Sequence, residues 1–142
     1  RQDVLLDGGD LGRLEQAYLK GEKTAFSELF LLGKMWAING VSGFSTENLP
    51  PLVDLPLGST CLLRFSNRTA WPHPMHLHGY HFKVLSHQGD PNMVGRLRDT
   101  VMVGPEEQAE VAFVADNPGD WFFHCNILSH AEAGMMAVLR VT

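Results

Sequence analysis

The sequence predicts an all-β domain of the β-sandwich or small-barrel class. Seven short runs of apolar, β-branched or aromatic residues occur between Leu29 and Val141, and turn signals separate them. The chain has 142 residues, which is room for one domain with a single hydrophobic core. No segment supports a long helix, and many short strands with frequent turns are typical of a sandwich or barrel.

Each of the seven predicted strands lies next to a turn signal or close to one. In chain order they are residues 29–32 before Asn39-Gly40, 61–65 after Leu57-Gly58, 81–85 before Gly89-Asp90-Pro91, 100–103 before Gly104-Pro105, 109–114 before the turn at 117–120, 121–123 after it, and 136–141. Gly, Pro, Asn and Asp at these positions favour turns. Residues 1–23 are polar and Gly-rich, and the helical spacing of Leu11, Leu14 and Tyr18 predicts a short helix or a linker there.

The charge balance limits the classes of partner. There are 11 Lys and Arg residues against 16 Asp and Glu residues, a formal net charge of -5, and an acidic chain is a poor match for nucleic acid. No apolar run is long enough to span a bilayer, so we expect no membrane partner. No signal peptide is recognisable, and because the chain opens at Arg1 we expect a processed product or a fragment.

Three of the seven histidines lie within six residues, at His73, His76 and His78. His76 and His78 are two residues apart, so on an extended chain they point to the same face, and His73 points to the other. Pro72 and Pro74 favour an extended backbone around His73. One strand could therefore serve two different sites, although a His-rich turn or a zinc site is also compatible with this spacing.

A second segment combines Cys125 with His130 and Met135. A cysteine thiolate, two imidazoles and a long thioether contact describe a blue-copper site. The second imidazole must come from elsewhere in the chain, and His73 is the natural candidate. His124 precedes Cys125, so on a strand its side chain lies on the opposite face.

Other interpretations remain open for several residues. Cys125 could be a buried thiol or could pair with Cys61, whose apolar neighbours favour a structural role. Met135 or Met136 could be an ordinary core residue. Asn67-Arg68-Thr69 matches a glycosylation sequon, which is a weak signal of three residues.

These segments closely resemble the C-terminal cupredoxin domain of the multicopper oxidases, a family that includes laccases, bilirubin oxidases, copper-efflux oxidases and ascorbate oxidase. The family pattern H-P-x-H-L-H-G matches residues 73–79, and H-C-H-I-x-x-H-x-x-x-G-M matches residues 124–135 with one departure. Similarity extends upstream through residues 35–40. The resemblance implies a cupredoxin-type Greek-key β-sandwich or barrel over residues 34–142, after an N-terminal linker over residues 1–33.

The resemblance implies copper as the cofactor and assigns its ligands by position. The type 1 copper ligands would be His73, Cys125, His130 and, axially, Met135. The type 2 ligand would be His76, and type 3 ligands would be His78 and His124. Single electrons from a phenol, an aromatic amine or a metal ion would pass through Cys125 and His124 to a trinuclear cluster, where dioxygen becomes water.

Two positions depart from the family pattern. Asn126 stands where the motif has its remaining type 3 histidine, and an amide is a poor copper ligand compared with imidazole. We therefore expect one type 3 copper to be weakened or lost. Tyr80 occupies a position that is often histidine, and because this position is not a ligand we expect only an indirect effect.

The resemblance also implies a partner. In the family the trinuclear cluster forms between the first and last domains, so this chain would need an N-terminal cupredoxin domain of the same protein or another chain. We expect a periplasmic or secreted oxidoreductase. The alternatives are a type 1 copper electron-transfer or binding module with a defective cluster, and a copper nitrite reductase, against which the intact pattern at residues 73–79 argues.

Overall fold

The computed structural model describes residues 1–45 and 49–142, which form two main β-sheets. Among these residues the larger sheet contains six strands, in the spatial order β4 (Trp36–Ile38), β1 (Gln2–Gly8), β6 (Thr60–Asn67), β11 (Gln108–Val114), β8 (Phe82–His87) and β9 (Leu97–Arg98). The smaller sheet of the described chain contains five, in the order β10 (Thr100–Val103), β7 (His73–Leu77), β12 (Gly119–Cys125), β13 (Met136–Val141) and β5 (Val53–Leu55). The all-β prediction is confirmed.

The core lies between the two sheets. Along β6 and β11 every second residue is buried, as expected when one face of a strand packs inward and the other faces outward. Phe65 of the larger sheet stacks on Phe123 of the smaller sheet, with ring centroids 5.7 Å apart. Both side chains are fully buried, so this aromatic pair joins the two layers inside the core.

The run at residues 29–32 is not a strand, so that prediction is wrong. Most of it lies in α1 (Phe26–Leu31), a short helix that follows the hairpin of β2 (Gln16–Leu19) and β3 (Glu22–Ala25). Leu29 is the buried residue of this helix, in a small cluster separate from the main core. A continuous apolar run of four residues has no period of its own, so its packing on the hairpin decides its conformation.

The N-terminal residues also differ from the prediction. Leu11 and Leu14 lie in irregular backbone and Tyr18 lies in β2, so no helix forms there. β1 instead pairs in parallel with β6 and antiparallel with β4. Val4 and Leu6 point into the core and are fully buried, whereas Leu5 between them is only partly buried, so the strand alternates in burial although the sequence does not alternate in residue type.

The histidine-rich segments lie side by side because β7 and β12 are neighbours. Their antiparallel register pairs His124 with His76 and Cys125 with Met75. After β12 the chain forms the short helix α2 (Leu128–Glu132) and returns as β13, which pairs with the other edge of β12. The connection from β12 to β13 therefore lies at one end of the smaller sheet, beside the start of β7.

Helices are few and short in the described part of the chain. Besides α1 and α2, a single 3-10 turn spans Pro91–Met93, and the carboxylate of Asp90 caps it by accepting from the N–H of Asn92 at 3.1 Å. None of the helices within residues 1–45 and 49–142 has the length and apolar character needed to cross a membrane.

Candidate metal centre

Three donor atoms converge at the end of the smaller sheet. The Sγ of Cys125 lies 3.6 Å from Nδ1 of His73 and 3.7 Å from Nδ1 of His130, and the two nitrogens are 3.3 Å apart. His73 begins β7, Cys125 ends β12 and His130 lies in α2. In the described part of the chain, this is the one group of three or more His, Cys, Asp or Glu residues whose ligand atoms all lie within 4.8 Å of one another.

The dimensions of this triangle fit one metal ion. In a trigonal plane, metal–nitrogen bonds of about 2.0 Å and metal–sulfur bonds of about 2.3 Å would place the nitrogens about 3.5 Å apart and the sulfur about 3.7 Å from each. The observed separations of 3.3, 3.6 and 3.7 Å agree closely with these values. A thiolate with two imidazoles in a trigonal arrangement is a donor set that copper favours, so the residues fit copper.

Burial sets the protonation states of the three ligand candidates. His73 and Cys125 have no exposed surface, whereas His130 is partly exposed. Burial, reinforced by the nearby His130, lowers the pKa of His73 to about 3, and burial also lowers the pKa of His130. Burial raises the pKa of the Cys125 thiol to about 11, against the opposing effect of a backbone hydrogen bond from Ile127. At neutral pH the imidazoles are ready to bind a metal, whereas the thiol must first lose its proton.

Met135, the predicted axial ligand, is fully buried. Its backbone makes hydrogen bonds to the backbones of two other ligand candidates, His130 and Cys125. Its N–H donates to the carbonyl oxygen of His130 at 3.0 Å, and its own carbonyl oxygen accepts from the N–H of Cys125 at 3.1 Å. Gly134 has a φ of +117°, and a Cβ there would lie 2.2 Å from the hydroxyl oxygen of Ser42. Glycine is therefore required immediately before Met135.

Trp36 packs against the ligand candidates, a role that the sequence analysis did not assign. Its buried indole lies 4.7 Å from the ring of His73 and 4.6 Å from the ring of His130, measured between centroids. The N–H groups of Met35 and Trp36 both donate to the carbonyl oxygen of Ala133, at 2.8 and 3.1 Å, and so hold the connection from β12 to β13. The available signal was the position of Trp36 within the family-like segment 35–40.

The remaining predicted ligands lie on the other side of the smaller sheet, as the alternation along a strand predicts. Nε2 of His78 and Nε2 of His124 are 2.9 Å apart. Nδ1 of His124 lies 2.8 Å from the carbonyl oxygen of Cys125, and Nδ1 of His76 lies 2.9 Å from that of Asp99. Because a carbonyl oxygen only accepts, each of these Nδ1 atoms carries the ring proton and leaves a lone pair on Nε2.

His76, His78 and His124 form a patch, but their ligand atoms are not grouped as tightly as those of the first site, within the residues that the structure describes. Their ring centroids are 4.7 to 5.5 Å apart. Burial and then the neighbouring His76 and His124 lower the pKa of His78, while Asp99 acts in the opposite direction. Asn126, directly after β12, is exposed.

Tyr80 and Cys61, two further residues considered in the sequence, have structural rather than metal-binding surroundings. The hydroxyl of Tyr80 donates to the carbonyl oxygen of Asn117, and its ring packs against Phe113 with centroids 4.8 Å apart, so Tyr80 serves the core. Cys61 and Cys125 are both free thiols, so the alternative of a disulfide between them is wrong.

Known proteins resemble this chain in sequence and in fold. A family model described as "Multicopper oxidase" matches residues 21–142. The multicopper oxidase MmcO of Mycobacterium tuberculosis is 43% identical over 100 residues, which cover 70% of this chain and 18% of that protein. Laccase-4 of Trametes villosa is 39% identical over 95 residues, which cover 61% of this chain and 18% of that protein.

Comparison of the fold with solved structures also finds multicopper oxidases. The solved structure of a multicopper oxidase from Campylobacter jejuni, described as a metallo-oxidase, superposes with a TM-score of 0.75 at 25% identity, covering 99% of this chain and 29% of that chain. The predicted cupredoxin-type sandwich is thereby confirmed. The chain spans less than a fifth of the length of the two sequence relatives, at 18% of each.

Proposed function

Because the chain belongs to the multicopper oxidase family, we propose that it is the C-terminal copper domain of such an oxidoreductase. The observation that carries the proposal is the triangle of donor atoms from His73, Cys125 and His130, whose sides of 3.3, 3.6 and 3.7 Å suit a type 1 copper ion. Met135 would be the axial ligand. Copper held by these residues would supply one-electron redox chemistry.

The domain would act as part of a larger assembly. Residues 34–142 would form the domain proper, and residues 1–33 would lead into it and add β1 to the larger sheet. An N-terminal cupredoxin domain, in the same polypeptide or in another chain, would complete the oxidase. Support for this comes from the relatives, of whose length the chain covers 18%. A periplasmic or secreted location is part of the proposal and rests on the family resemblance.

A reducing substrate would deliver its electrons at His130. The imidazole of His130 is partly exposed, whereas that of His73 has no exposed surface, so His130 is the imidazole that a substrate can reach. Ile127, which immediately precedes α2, and Leu128, which begins it, are exposed apolar residues. Such a surface suits a phenol or an aromatic amine better than a hydrated metal ion.

Cys125 and His124 would connect the two sites. They are consecutive in β12, their side chains lie on opposite faces, and Nδ1 of His124 donates to the carbonyl oxygen of Cys125 at 2.8 Å. His76 would serve as the type 2 ligand, and His78 and His124 as type 3 ligands, of a cluster shared with the N-terminal domain. Dioxygen would be reduced to water at that cluster.

A second candidate function is a type 1 electron-transfer module with a defective cluster. The observation that favours it is Asn126, an exposed amide in a position where the family pattern has a type 3 histidine. An amide is a weaker copper ligand than an imidazole. Such a module would keep the donors His73, Cys125 and His130 but would reduce oxygen poorly.

Copper loading tests the type 1 assignment. The chain loaded with Cu(II) should show an intense blue absorption band and the matching electron paramagnetic resonance spectrum. Cys125→Ser should abolish the band. Cys61→Ser replaces the other buried free thiol and should leave the band intact, which makes it the matched control. Bound copper without a blue band in the unmodified chain would contradict the assignment.

A further inference from the structure

The sequon Asn67-Arg68-Thr69 is buried inside the domain. Asn67 is 2% exposed and Thr69 is 0% exposed, so neither side chain is available to carry or recognise a glycan in the folded chain. The amide nitrogen Nδ2 of Asn67 donates to the carbonyl oxygens of Trp71, Val103 and Gly104, at 2.7, 3.1 and 3.0 Å. These three acceptors fix which end of the amide is nitrogen, and Oδ1 must therefore face Thr69.

The hydroxyl of Thr69 lies at the centre of a complete set of hydrogen bonds. Its oxygen is 2.7 Å from Oδ1 of Asn67, 3.2 Å from the backbone nitrogen of Trp71 and 2.8 Å from Nε2 of His73. The oxygen also lies 3.0 Å from the carbonyl oxygen of Trp71, a second atom that can only accept. The single hydroxyl proton is therefore directed to an acceptor, which leaves the oxygen to accept from Trp71 and from His73.

This assignment decides the tautomer of His73. Because the hydroxyl oxygen of Thr69 accepts a hydrogen bond from Nε2 of His73, Nε2 carries the ring proton and Nδ1 keeps its lone pair. Nδ1 is the atom that lies 3.6 Å from Sγ of Cys125 and 3.3 Å from Nδ1 of His130. The hydrogen bond to Thr69 thus directs the free lone pair of the imidazole to the place where the three donors meet.

We propose that Asn67 and Thr69 are positioning residues that hold His73 in its Nε2–H tautomer and present Nδ1 as a metal ligand. The inference rests on the proposed function only in taking His73 as a ligand of the type 1 site. Asn67 ends β6 and its amide binds carbonyl oxygens at and just beyond the end of β10, so the pair also ties the orientation of His73 to two strands of different sheets. Partners of this kind orient metal-bound histidines in other proteins.

Nuclear magnetic resonance of the copper-free chain tests the tautomer directly. Long-range 15N–1H spectra of His73 should show a single Nε2–H tautomer in the unmodified chain. Thr69→Ser keeps the hydroxyl and should retain this pattern, whereas Thr69→Val has the same shape without the hydroxyl and should lose it. A predominant Nδ1–H tautomer in the unmodified chain would overturn the proposal without any variant, even if Thr69→Val failed to fold.

A pure Nε2–H tautomer in folded Thr69→Val would also overturn the proposal, because Thr69 would then have no effect on the ring. The metal-binding part is tested with Cu(II) on the same three proteins. Thr69→Val should weaken copper binding by about tenfold or more and alter the electron paramagnetic resonance spectrum, while Thr69→Ser should stay close to the unmodified chain. Equal copper affinity and identical spectra for the valine and serine variants would refute a positioning role.

The two measurements separate the failure of this inference from the failure of the proposed function. If the unmodified chain shows the Nε2–H tautomer but gives no blue copper site, the type 1 assignment fails while the tautomer assignment stands. If the blue site forms but the tautomer does not depend on Thr69, the type 1 assignment stands and the positioning role fails.

Discussion

Nδ1 of His124 lies 2.8 Å from the carbonyl oxygen of Cys125, the next residue in β12. The two side chains point to opposite faces of the strand, and this hydrogen bond links the His124 ring to the backbone of Cys125 in addition to the peptide bond. It also fixes the His124 ring so that its Nε2 faces Nε2 of His78, 2.9 Å away. The thiol site and the histidine patch are thus connected through two consecutive residues.

Metal binding should release one proton per site at neutral pH. Burial raises the pKa of Cys125 to about 11, so the thiol is protonated at pH 7 and must ionise to bind. The imidazole of His73, whose pKa is lowered to about 3, is neutral at pH 7, so binding a metal through its Nδ1 lone pair releases no proton. Titration of the chain with Co(II), which does not oxidise thiols, in weakly buffered solution should release about one proton per bound ion.

The control for proton release is the Cys125→Ser variant, in which the release should disappear. The Cys61→Ser variant should still release the proton, because Cys61 lies outside the triangle of donors. Metal binding without proton release by the unmodified chain would show that the thiol is already ionised and that its pKa is below neutral.

The copper-free chain should lose stability as the pH falls below about 6.5. The pKa of His73 is about 3 in the folded chain against an ordinary value of 6.5, so the unfolded chain binds an additional proton between these values. Stability therefore rises with pH across this window, with a slope of up to about 1.4 kcal/mol per pH unit from this one group. Urea unfolding at several pH values between 7 and 4 measures the slope.

His73→Gln is the comparison for the pH dependence, because it removes the titrating group. Its free energy of unfolding should depend less steeply on pH than that of the unmodified chain. His130, whose pKa is also lowered by burial, contributes in the same direction in both proteins. Identical slopes for the two proteins would mean that His73 titrates normally in the folded chain.

Replacement of Trp36 by alanine should destabilise the domain by about 3–5 kcal/mol, the usual cost of deleting a large buried aromatic side chain. Its indole contacts the rings of both His73 and His130, so the blue copper spectrum should change as well. Trp71 is 44% exposed, and Trp71→Ala should cost much less. Urea unfolding of both variants, with m-values compared, gives the two energies, and similar losses would contradict the contribution assigned to Trp36.

Asn126→His should increase oxygen reduction when the chain is assembled with the N-terminal cupredoxin domain that we propose as its partner. The substitution supplies an imidazole where the family pattern has one, and the expected gain in turnover is about tenfold or more. Asn92→His places the same change in the exposed 3-10 turn at Pro91–Met93 and should have no effect. Oxygen consumption under steady-state turnover measures both, and equal rates for the Asn126→His and unmodified proteins would refute the idea of a defective cluster.

Part of the fold and of the site follows from local sequence. Short apolar runs between turn signals predicted six of the strands, β6, β8, β10, β11, β12 and β13. The spacing of His73, His76 and Cys125 predicted which side chains share a face of the smaller sheet. Most of residues 29–32 lie in a helix where the sequence predicts a strand, because a continuous apolar run fits helix and strand equally. β1 was not predicted, because its partners β4 and β6 are distant in the sequence.

The sequence by itself determined the kinds of donor available and their order along each strand, because residue type and a period of two are local properties. The tertiary structure alone decided that Nδ1 of His73 meets the thiol of Cys125, 52 residues away, and that Thr69 is buried against the far nitrogen of the same ring. The first contact depends on the register of β7 against β12, which brings together residues 52 positions apart. Thr69 and His73 are only four residues apart, but the burial of Thr69 and the acceptors that orient its partner Asn67 come from the packing of the two sheets. Burial and long-range register are settled only when distant segments fold together, so no short segment determines them.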